Sequence, residues 1–431
     1  MTSLSKDTAQ NICKALRSGT VPNSGLEHYA VGLDAQMKEL RDNMDYVGRG
    51  HSEFKFIRGA YGSGKTFLCS LAAADAVQKG FVVSKVVISN ADTPLYKLEE
   101  VYRKLCSGLT VRSSSGAFAQ IIDSWLYQLG DQVVDLDGIS DDSPEFFDAV
   151  DRRVDQFLQK VSEKAGSFAS CLKTYHRLQA DGKYQEAQSL LDWLGGNSHV
   201  SYEVKKLAYI KGNLERNDAL EFMAALLELI KQAGYRGLVL VLDEVETNLR
   251  QRGPERKKGL EILRQLVDAA GDNKMPGLYL LVTGTPDFFE SPKGVSEEPA
   301  LDGRIKVDFE DGKPENLRRP QIQLPKFDET RLKLVAKKVR EIFPADHPNR
   351  VQEKVDDQFV EQLVDHFTDA FGGRVSVTPR VFLREFIDVM DVVDQHPDYD
   401  PRESYEFSAD KLPVDDFTDE EKEFFGQEVH F

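Results

Sequence analysis

The sequence predicts an α/β protein: a parallel sheet covered by helices on both faces, with a helical insertion and a mainly helical C-terminal domain. Two observations lead to this fold class. Five short apolar runs rich in Val, Ile and Leu are separated by stretches of helical periodicity, which is typical of parallel strands buried on both faces. A glycine-rich loop also joins the first run to a segment of helical composition. The chain has 431 residues, 41% apolar and 29% charged, a balance that is ordinary for a globular protein with a sizeable core.

The five apolar runs supply the predicted strands, and a long gap separates the second from the third. Within this gap the sequence shows only helical patterns, such as the apolar face that includes Ile121, Ile122 and Trp125. We therefore expect a helical insertion inside the sheet-containing domain. The predicted strands are Phe54–Arg58, Phe81–Ile88, Leu238–Leu242, Leu278–Val282 and Ile322–Leu324.

These patterns divide the chain into four predicted parts. An N-terminal helical segment precedes the core, and a helical lid or C-terminal domain follows it. Whether that last domain is a winged helix is left open, because no wing hairpin is evident. The predicted bounds are 1–50 for the N-terminal segment, 51–325 for the core with its insertion at about 110–234, 326–395 for the C-terminal domain and 396–431 for an acidic tail.

The glycine-rich loop matches the whole phosphate-binding pattern G-x-x-x-x-G-K-[ST], between a strand and a helix as the pattern requires. Its glycines let backbone N–H groups curl around the β- and γ-phosphates at a helix N-terminus, which favours anions. Lys65 is predicted to reach these phosphates as a point charge, and the Thr66 hydroxyl to ligate Mg²⁺. The predicted nucleotide-binding residues here are Gly59, Ala60, Tyr61, Gly62, Ser63, Gly64, Lys65, Thr66 and Phe67.

Two carboxylates follow the third predicted strand and indicate that the triphosphate is hydrolysed. Asp243 is placed to hold Mg²⁺ and its water shell at the C-terminal end of the strand. Glu244 is placed to polarise a water for in-line attack on the γ-phosphate. Adjacent side chains of a strand point to opposite faces, which suits two carboxylates with separate roles. Glu246 is a third acid, for which we expect a structural role.

A polar residue at the end of the fourth strand is expected to position water and sense the γ-phosphate. Thr283 is the first candidate and Thr285 the alternative, and an ordinary strand-end turn is nearly as good an explanation for either one. Further on, Arg304 is a candidate for an arginine that stabilises transition-state charge on a neighbouring subunit's γ-phosphate. A plain surface arginine is an equal alternative, and Arg318 and Arg319 compete for the same role.

Thr378-Pro379-Arg380 opens a helix of the C-terminal domain, where proline suits the first turn. Arg380 is predicted to reach back to the nucleotide and couple the phosphate state to the domain angle. A surface position or a role in lid packing is the close alternative.

Composition excludes several function classes. The net charge of −17 argues against broad electrostatic coating of nucleic acid, although much of the excess lies in the acidic tail. No apolar run is long enough to span a membrane, and the first residues lack the apolar core of a secretion signal. The four cysteines match no zinc or disulfide spacing, so we expect reduced thiols in the cytoplasm.

The densest basic run of the chain follows the Asp243-Glu244 strand. A loop there can face the central pore in ring-shaped ATPases, so contact with the phosphates of duplex DNA is one hypothesis. A solvated loop and helix start is the slightly favoured alternative for any basic run. The residues concerned are Arg250, Arg252, Arg256, Lys257 and Lys258.

The order of these motifs resembles that of the AAA+ ATPases, in the branch of origin-recognition and initiator ATPases with a helical or winged-helix C-terminal domain. The resemblance covers about residues 20–390 apart from the insertion. It implies an oligomeric ATPase that uses ATP and Mg²⁺, with Val31 and Gly32 packed on the adenine and Arg380 as the second sensor. One departure is that the first sensor is usually Asn in that branch, whereas only threonines are available here.

Three stretches carry a closer resemblance, to the P-loop family of BREX-system ATP-binding proteins. They are Gly59–Phe67, Trp193–Gly196 and Gly237–Glu246. This resemblance implies a role in bacteriophage exclusion beside a large helicase or another defence-system protein. The expected function is an ATP-hydrolysing AAA+ protein that forms a ring or filament and acts on DNA or on a DNA-bound partner. The alternative from another class is a slow ATP switch or scaffold that recruits an effector through its helical insertion. A phosphoryl-transfer kinase fits less well, because paired acids with sensor-like elements downstream belong to hydrolases.

Overall fold

A computed structural model describes residues 4–112, 114–163, 165–310, 313–325, 327–370 and 379–405. Its centre is a seven-stranded sheet with the order β4-β3-β2-β5-β6-β1-β7. Five strands run parallel, and two short strands at one edge add an antiparallel hairpin. The strands are β1 (Glu53–Arg58), β2 (Val82–Val87), β3 (Thr110–Val111), β4 (Ser114–Ser115), β5 (Leu238–Asp243), β6 (Leu278–Gly284) and β7 (Gln321–Gln323).

Helices cover both faces of the sheet and fill the long connection between β2 and β5. Short 3₁₀ turns lie at Leu26–His28, Val245–Arg250 and Val295–Glu297. Up to β5 the helices are α1 (Lys6–Arg17), α2 (Asp34–Val47), α3 (Lys65–Gln78), α4 (Leu98–Ser107), α5 (Phe118–Asp137), α6 (Phe146–Ser162), α7 (Gly166–Ala180), α8 (Tyr184–Leu194), α9 (Tyr202–Leu207) and α10 (Arg216–Gln232). After β5 they are α11 (Gly253–Gly271), α12 (Pro286–Glu290), α13 (Pro299–Ile305), α14 (Glu329–Ile342), α15 (Pro348–Lys354), α16 (Asp357–Ala370), α17 (Pro379–Gln395) and α18 (Pro401–Ser404).

Strand β5 shows how the sheet separates two hydrophobic cores. All six of its residues are buried. Leu240 and Leu242 belong to the core shared with the insertion helices and α11. Val239 and Val241 belong to the core shared with α1, α2, α3 and the C-terminal helices. Because successive side chains of a strand point to opposite faces, a strand covered on both sides needs apolar residues at every position.

The predicted fold class is confirmed, with one difference. The parallel strands lie where the apolar runs predicted them, and the described part of the chain after Phe327 is helical. The hairpin of β3 and β4 was not predicted, because the sequence between the second and third strands showed only helical patterns. Two-residue strands are too short to leave a periodic signal. The domain bounds given above remain predictions.

The N-terminal helix α1 packs on the C-terminal helix α17 and ties the two ends of the described chain together. Arg17 donates two hydrogen bonds to the Asp391 carboxylate, from Nε at 2.5 Å and from Nη2 at 2.7 Å. A paired guanidinium and carboxylate fixes orientation as well as distance. The end of α1 and the start of α17 border the same cavity.

Candidate nucleotide-binding site

The phosphate-binding loop connects β1 to α3, and its glycines are required by its shape. Gly62 has φ 74° and Gly64 has φ 91°, both in the left-handed region that other residues enter only with strain. At Gly59 an added Cβ would lie 2.3 Å from the Ser63 hydroxyl oxygen, so no side chain fits. The buried Ser63 hydroxyl has no hydrogen-bond partner among the described residues. A tight loop with bare backbone and an unpaired hydroxyl is suited to surround a phosphate group.

Lys65 is held at the loop in a position from which it can move to a ligand. Its side chain is buried, and Nζ donates to the carbonyl oxygens of Gly59 at 2.8 Å and Ala60 at 3.0 Å. Burial lowers the pKa of Lys65, and the nearby carboxylates of Glu246, Asp243 and Glu244 act in the opposite direction. The ammonium group therefore sits at the mouth of the loop, where a phosphate would provide stronger acceptors than two carbonyl groups.

Two oxygen donors of the kind that Mg²⁺ prefers meet at the start of α3. The Thr66 hydroxyl donates to the Asp243 carboxylate, with 3.0 Å to Oδ2 and 3.3 Å to Oδ1. A hydroxyl and a carboxylate in contact fit the ligand set of a hard divalent cation bound with a nucleotide. Lys85 of β2 also lies here, with Nζ 3.4 Å from Asp243 Oδ2 and 3.2 Å from the Ser70 hydroxyl.

The two predicted carboxylates occupy different backbone environments. Asp243 is the last residue of β5 and is buried, with 2% of its surface exposed. Glu244 lies beyond the strand, has φ 62° and caps the 3₁₀ turn Val245–Arg250. The sequence predicts that the two side chains point to opposite faces of one strand. That explanation is wrong, because β5 ends at Asp243 and Glu244 lies outside the strand. The left-handed backbone turns Glu244 toward the cavity, where partial burial of its carboxyl group, together with the nearby Asp243, raises the pKa of Glu244.

Thr283 joins the Asp243 carboxylate and the Glu244 backbone in one hydrogen-bond network. Its hydroxyl is fully buried, donates to Asp243 Oδ1 at 2.5 Å and accepts from the backbone N–H of Glu244 at 3.0 Å. The alternative, Thr285, is the N-cap residue directly before α12, and its side chain makes no capping hydrogen bond within the described structure. This geometry favours Thr283 over Thr285 as the polar group at the end of β6.

A cavity of about 770 Å³ extends from the phosphate loop to the junction of α1 and α17. Its far end is apolar and includes Val31, whereas Gly32 is not among the described residues that line it. Arg380 lies at the start of α17 and borders the cavity, packed beside Gly19 at the end of α1. Lining residues that the sequence did not indicate are Leu16, Gly19, Thr20, Val21, Tyr29, Leu33, Lys85, Glu246, Thr247, Phe327, Val335, Pro379 and Leu383.

Glu246 differs from the structural role expected for it. The side chain is 5% exposed and borders the cavity, and neither carboxylate oxygen has a hydrogen-bond partner among the described residues. Burial raises the pKa of Glu246 to about 7, and the nearby Lys65 opposes this shift. A buried acid without a hydrogen-bond partner is costly in its charged form. Glu246 is therefore an additional acidic group at the site, in a role that the sequence pattern did not indicate.

Arg304 lies on α13 and is engaged within its own chain. Its guanidinium forms an ion pair with Asp268 and donates a hydrogen bond of 2.6 Å to the carbonyl oxygen of Ala300. Arg304 is not among the described residues that line the cavity, and neither are its competitors Arg318 and Arg319.

The basic run after β5 does not form one continuous cationic surface. Arg250 borders the nucleotide cavity. Arg256 is paired with Glu297 through hydrogen bonds of 2.7 and 3.1 Å, and Lys257 lies 3.9 Å from the same carboxylate. Arg252 and Lys258 are exposed at the start of α11. Contact of this run with DNA remains a prediction.

Comparison with known proteins identifies a family for the chain. The model of the family described as BREX system ATP-binding protein BrxC/D matches residues 4–409, nearly the whole sequence, which confirms the closer of the two resemblances. No curated protein matches the chain significantly. One solved structure that matches is that of the Aeropyrum pernix ORC2 protein, described as its ADPNP-ADP complexes. It has 12% identity and a TM-score of 0.33, and the match covers 84% of this chain and 69% of that one.

Proposed function

The chain belongs to the BREX system ATP-binding protein family BrxC/D, and we propose that it is a Mg²⁺-dependent ATPase of the AAA+ class. ATP binding and hydrolysis would be coupled, in an oligomer, to action on DNA or on a DNA-bound partner in cytoplasmic anti-phage defence. The observation that carries the proposal is the convergence of Lys65, Thr66, Asp243, Glu244 and Thr283 at one end of the sheet, beside a cavity large enough for a nucleotide.

Binding of the triphosphate would use groups that now bond to each other. Lys65 Nζ exchanges the carbonyl oxygens of Gly59 and Ala60 for the β- and γ-phosphates, and the loop N–H groups donate to the same anion. Thr66 and Asp243 are the residues that would hold Mg²⁺, which neutralises charge on the phosphates when bound. The apolar end of the cavity, with Val31, would take the base.

Hydrolysis would then depend on Glu244 and on the network that fixes its position. The Glu244 carboxylate faces the cavity and accepts a proton from water as the water attacks the γ-phosphorus, while the bond from that phosphorus to the β–γ bridging oxygen breaks and ADP leaves. Thr283 holds the Glu244 backbone N–H and the Asp243 carboxylate together, so it links the acid that polarises water to the acid that holds the metal. Arg380 borders the same cavity from the C-terminal helices, which supports its role in coupling the nucleotide state to domain position.

A second function is favoured by one observation. Arg304 is paired with Asp268 in its own chain, and it does not border the cavity of that chain. If this pair persists in solution, Arg304 does not complete a neighbour's site, and the protein is a slow ATP switch that recruits an effector through its insertion helices. The two functions differ in how turnover depends on protein concentration.

Steady-state ATP hydrolysis, measured over a range of protein concentrations with and without duplex DNA, tests the proposal. Specific activity that rises with concentration, and further with DNA, is expected for active sites shared between subunits of a DNA-linked ATPase. A low rate that is flat in both variables contradicts the shared-site proposal and supports the switch.

A further inference from the structure

Helix α9, in the insertion, lies on the surface of the protein, with Val204 packed against the hydrophobic core. None of the six residues of α9, all of them described, is buried. The chain after it is anchored, because Ala208 and Ile210 are buried and the Ala208 carbonyl oxygen accepts a 2.6 Å hydrogen bond from the Ser170 hydroxyl. Between these two anchors lies Tyr209, with 91% of its surface exposed. The knob is defined here as residues 202–211.

The backbone at the end of α9 explains why Tyr209 is unusual. The Tyr209 N–H donates to the Lys206 carbonyl oxygen and the Ile210 N–H to that of Lys205, both at 3.1 Å. These two bonds are the Schellman pattern that ends many helices, in which the left-handed position is usually occupied by glycine. Tyr209 occupies it with φ 55°. Glycine would make the same two bonds without strain, so the fold does not require a tyrosine here.

The exposed surface around Tyr209 combines aromatic side chains with positive charge. Tyr202 is 70% exposed and Leu207 is 44% exposed. The knob carries three lysines against one acid, Glu203, in a chain whose net charge is −17. Lys206 and Lys211 are exposed, while Lys205 donates a 2.7 Å hydrogen bond to Asn213. A positive island of this kind in an acidic protein complements an anionic partner.

The combination of rings and lysines favours one class of partner. Aromatic faces that stack on unpaired bases, together with cations that follow the phosphates, are the means by which proteins bind single-stranded nucleic acid without sequence preference. Lysine is depleted at protein–protein interfaces, which counts against a protein partner. Duplex DNA offers no free base face for the tyrosine rings.

We propose that the knob is a docking site for single-stranded nucleic acid. Tyr209 stacks on a base, Tyr202 supplies a second aromatic face, and Lys206 and Lys211 neutralise phosphates. None of the knob residues is among the described residues that line the nucleotide cavity. The site is therefore separate from ATP hydrolysis and goes beyond the function proposed above.

The test is the affinity of the full chain for a labelled oligothymidylate of about 20 nucleotides, measured by fluorescence anisotropy together with the melting temperature of each variant. Tyr209→Gly relieves the left-handed strain, so its melting temperature should equal or exceed that of the wild type. Its affinity should fall about 5- to 150-fold, the effect of losing one stacked base. Tyr209→Phe should bind nearly as well as the wild type.

Charge and position are tested by two further variants. The double variant Lys206→Gln and Lys211→Gln should weaken binding and reduce the slope of log affinity against log salt by about 1.4, as expected for two lost phosphate contacts on a single strand. Tyr127→Ala is the matched control, because Tyr127 is a 68% exposed tyrosine on another helix of the insertion, α5, and its affinity should not change. ATP hydrolysis without nucleic acid should be unchanged in all of these variants.

Three results would overturn the proposal. The first is no binding of the oligothymidylate by the wild type. The second is equal binding by Tyr209→Gly with an unchanged salt slope in the lysine variant. The third is loss of a protein partner in Tyr209→Gly while oligothymidylate binding is retained, which would assign the knob to protein recognition.

Discussion

The Thr283 hydroxyl donates a 2.5 Å hydrogen bond to Oδ1 of Asp243 from a fully buried position at the end of the neighbouring strand. The same hydroxyl oxygen accepts the backbone N–H of Glu244. One side chain of β6 thereby binds the carboxylate of Asp243, the residue proposed to hold the metal, and the backbone of Glu244, the residue proposed to polarise water.

Replacing Thr283 should reduce hydrolysis more than ATP binding. Thr283→Val keeps the shape of the side chain but removes the hydrogen-bond partner of the Glu244 N–H and the shorter of two hydrogen bonds to Asp243 Oδ1, at a cost of about 1–3 kcal/mol of stability. We expect single-turnover hydrolysis to fall by about tenfold or more, since general-base catalysis depends on position. Thr285→Val is the control, because Thr285 is also buried but makes no capping hydrogen bond in the described structure. An equal or larger loss in Thr285→Val would show that the wrong threonine was chosen.

Glu246 should make stability depend on pH. Burial raises its pKa from 4.5 to about 7, so the folded protein holds this proton more tightly than the unfolded chain does. The stabilisation is present below about pH 4.5 and is lost as the pH rises through about 7, a change on the order of 3 kcal/mol. Glu246→Gln removes this dependence.

The measurement is the difference in unfolding free energy between wild type and Glu246→Gln, taken at about pH 5 and about pH 8.5. The free energy of unfolding of Glu246→Gln, relative to that of the wild type, should be larger at the higher pH. The wild type must then carry a buried charge without a hydrogen-bond partner among the described residues. Taking the difference cancels the titration of all other groups. A difference that stays constant with pH would contradict the account of Glu246.

Lys85 should affect the requirement for Mg²⁺. Its ammonium group lies 3.4 Å from Asp243 Oδ2 and neutralises part of the charge that would attract the metal. In Lys85→Met the Mg²⁺ concentration that gives half-maximal hydrolysis at saturating ATP should fall about two- to fivefold, the scale of a partly exposed ion pair. The control is Lys79→Met, which removes a lysine paired with Asp45 outside the cavity. A rise in the Mg²⁺ requirement of Lys85→Met would show that Lys85 assists metal binding instead.

Arg304 should act in the site of a neighbouring subunit. Arg304→Ala alone is expected to lower hydrolysis by about 10³-fold, the lower end for arginines that act in trans. Mixing Arg304→Ala with Glu244→Gln should restore part of the activity, because some mixed contacts pair an intact arginine with an intact acid. Arg319→Ala in place of Arg304→Ala tests the competing assignment, and it should leave hydrolysis near the wild-type rate if Arg304 is the arginine that acts in trans. Equal loss in every mixture, with no recovery, would contradict a shared site.

Contiguous motifs could be predicted from the sequence, whereas contacts between distant segments could not. The phosphate loop and the two acids at the end of β5 are each encoded within a few neighbouring residues, so composition and spacing were enough to find them. Glu246 looked structural because its burial beside the cavity depends on the 3₁₀ turn that follows β5. Lys85 was missed because a lysine in a strand carries no signal until β2 pairs with β5.

The basic run illustrates the same limit for surface charge. Five basic residues in nine suggested one cationic surface, but Arg250 borders the nucleotide cavity and Arg256 is held by Glu297 from a distant turn. Such pairing depends on how α11 packs against the segment before α13, which no local pattern specifies. The left-handed backbone of Tyr209 could not be predicted from the sequence either, because glycine is the residue that usually indicates such a position.

The most direct test of the central claim compares ATP binding and single-turnover ATP hydrolysis in the wild type, Lys65→Ala and Glu244→Gln. Glu244→Gln should bind ATP about as well as the wild type and hydrolyse it about 10²- to 10⁴-fold more slowly, because the loop is intact and only the base is lost. Lys65→Ala should lose both binding and hydrolysis. Hydrolysis at the wild-type rate by Glu244→Gln would contradict the assignment of the water-polarising acid, and unchanged ATP binding by Lys65→Ala would contradict the assignment of the site itself.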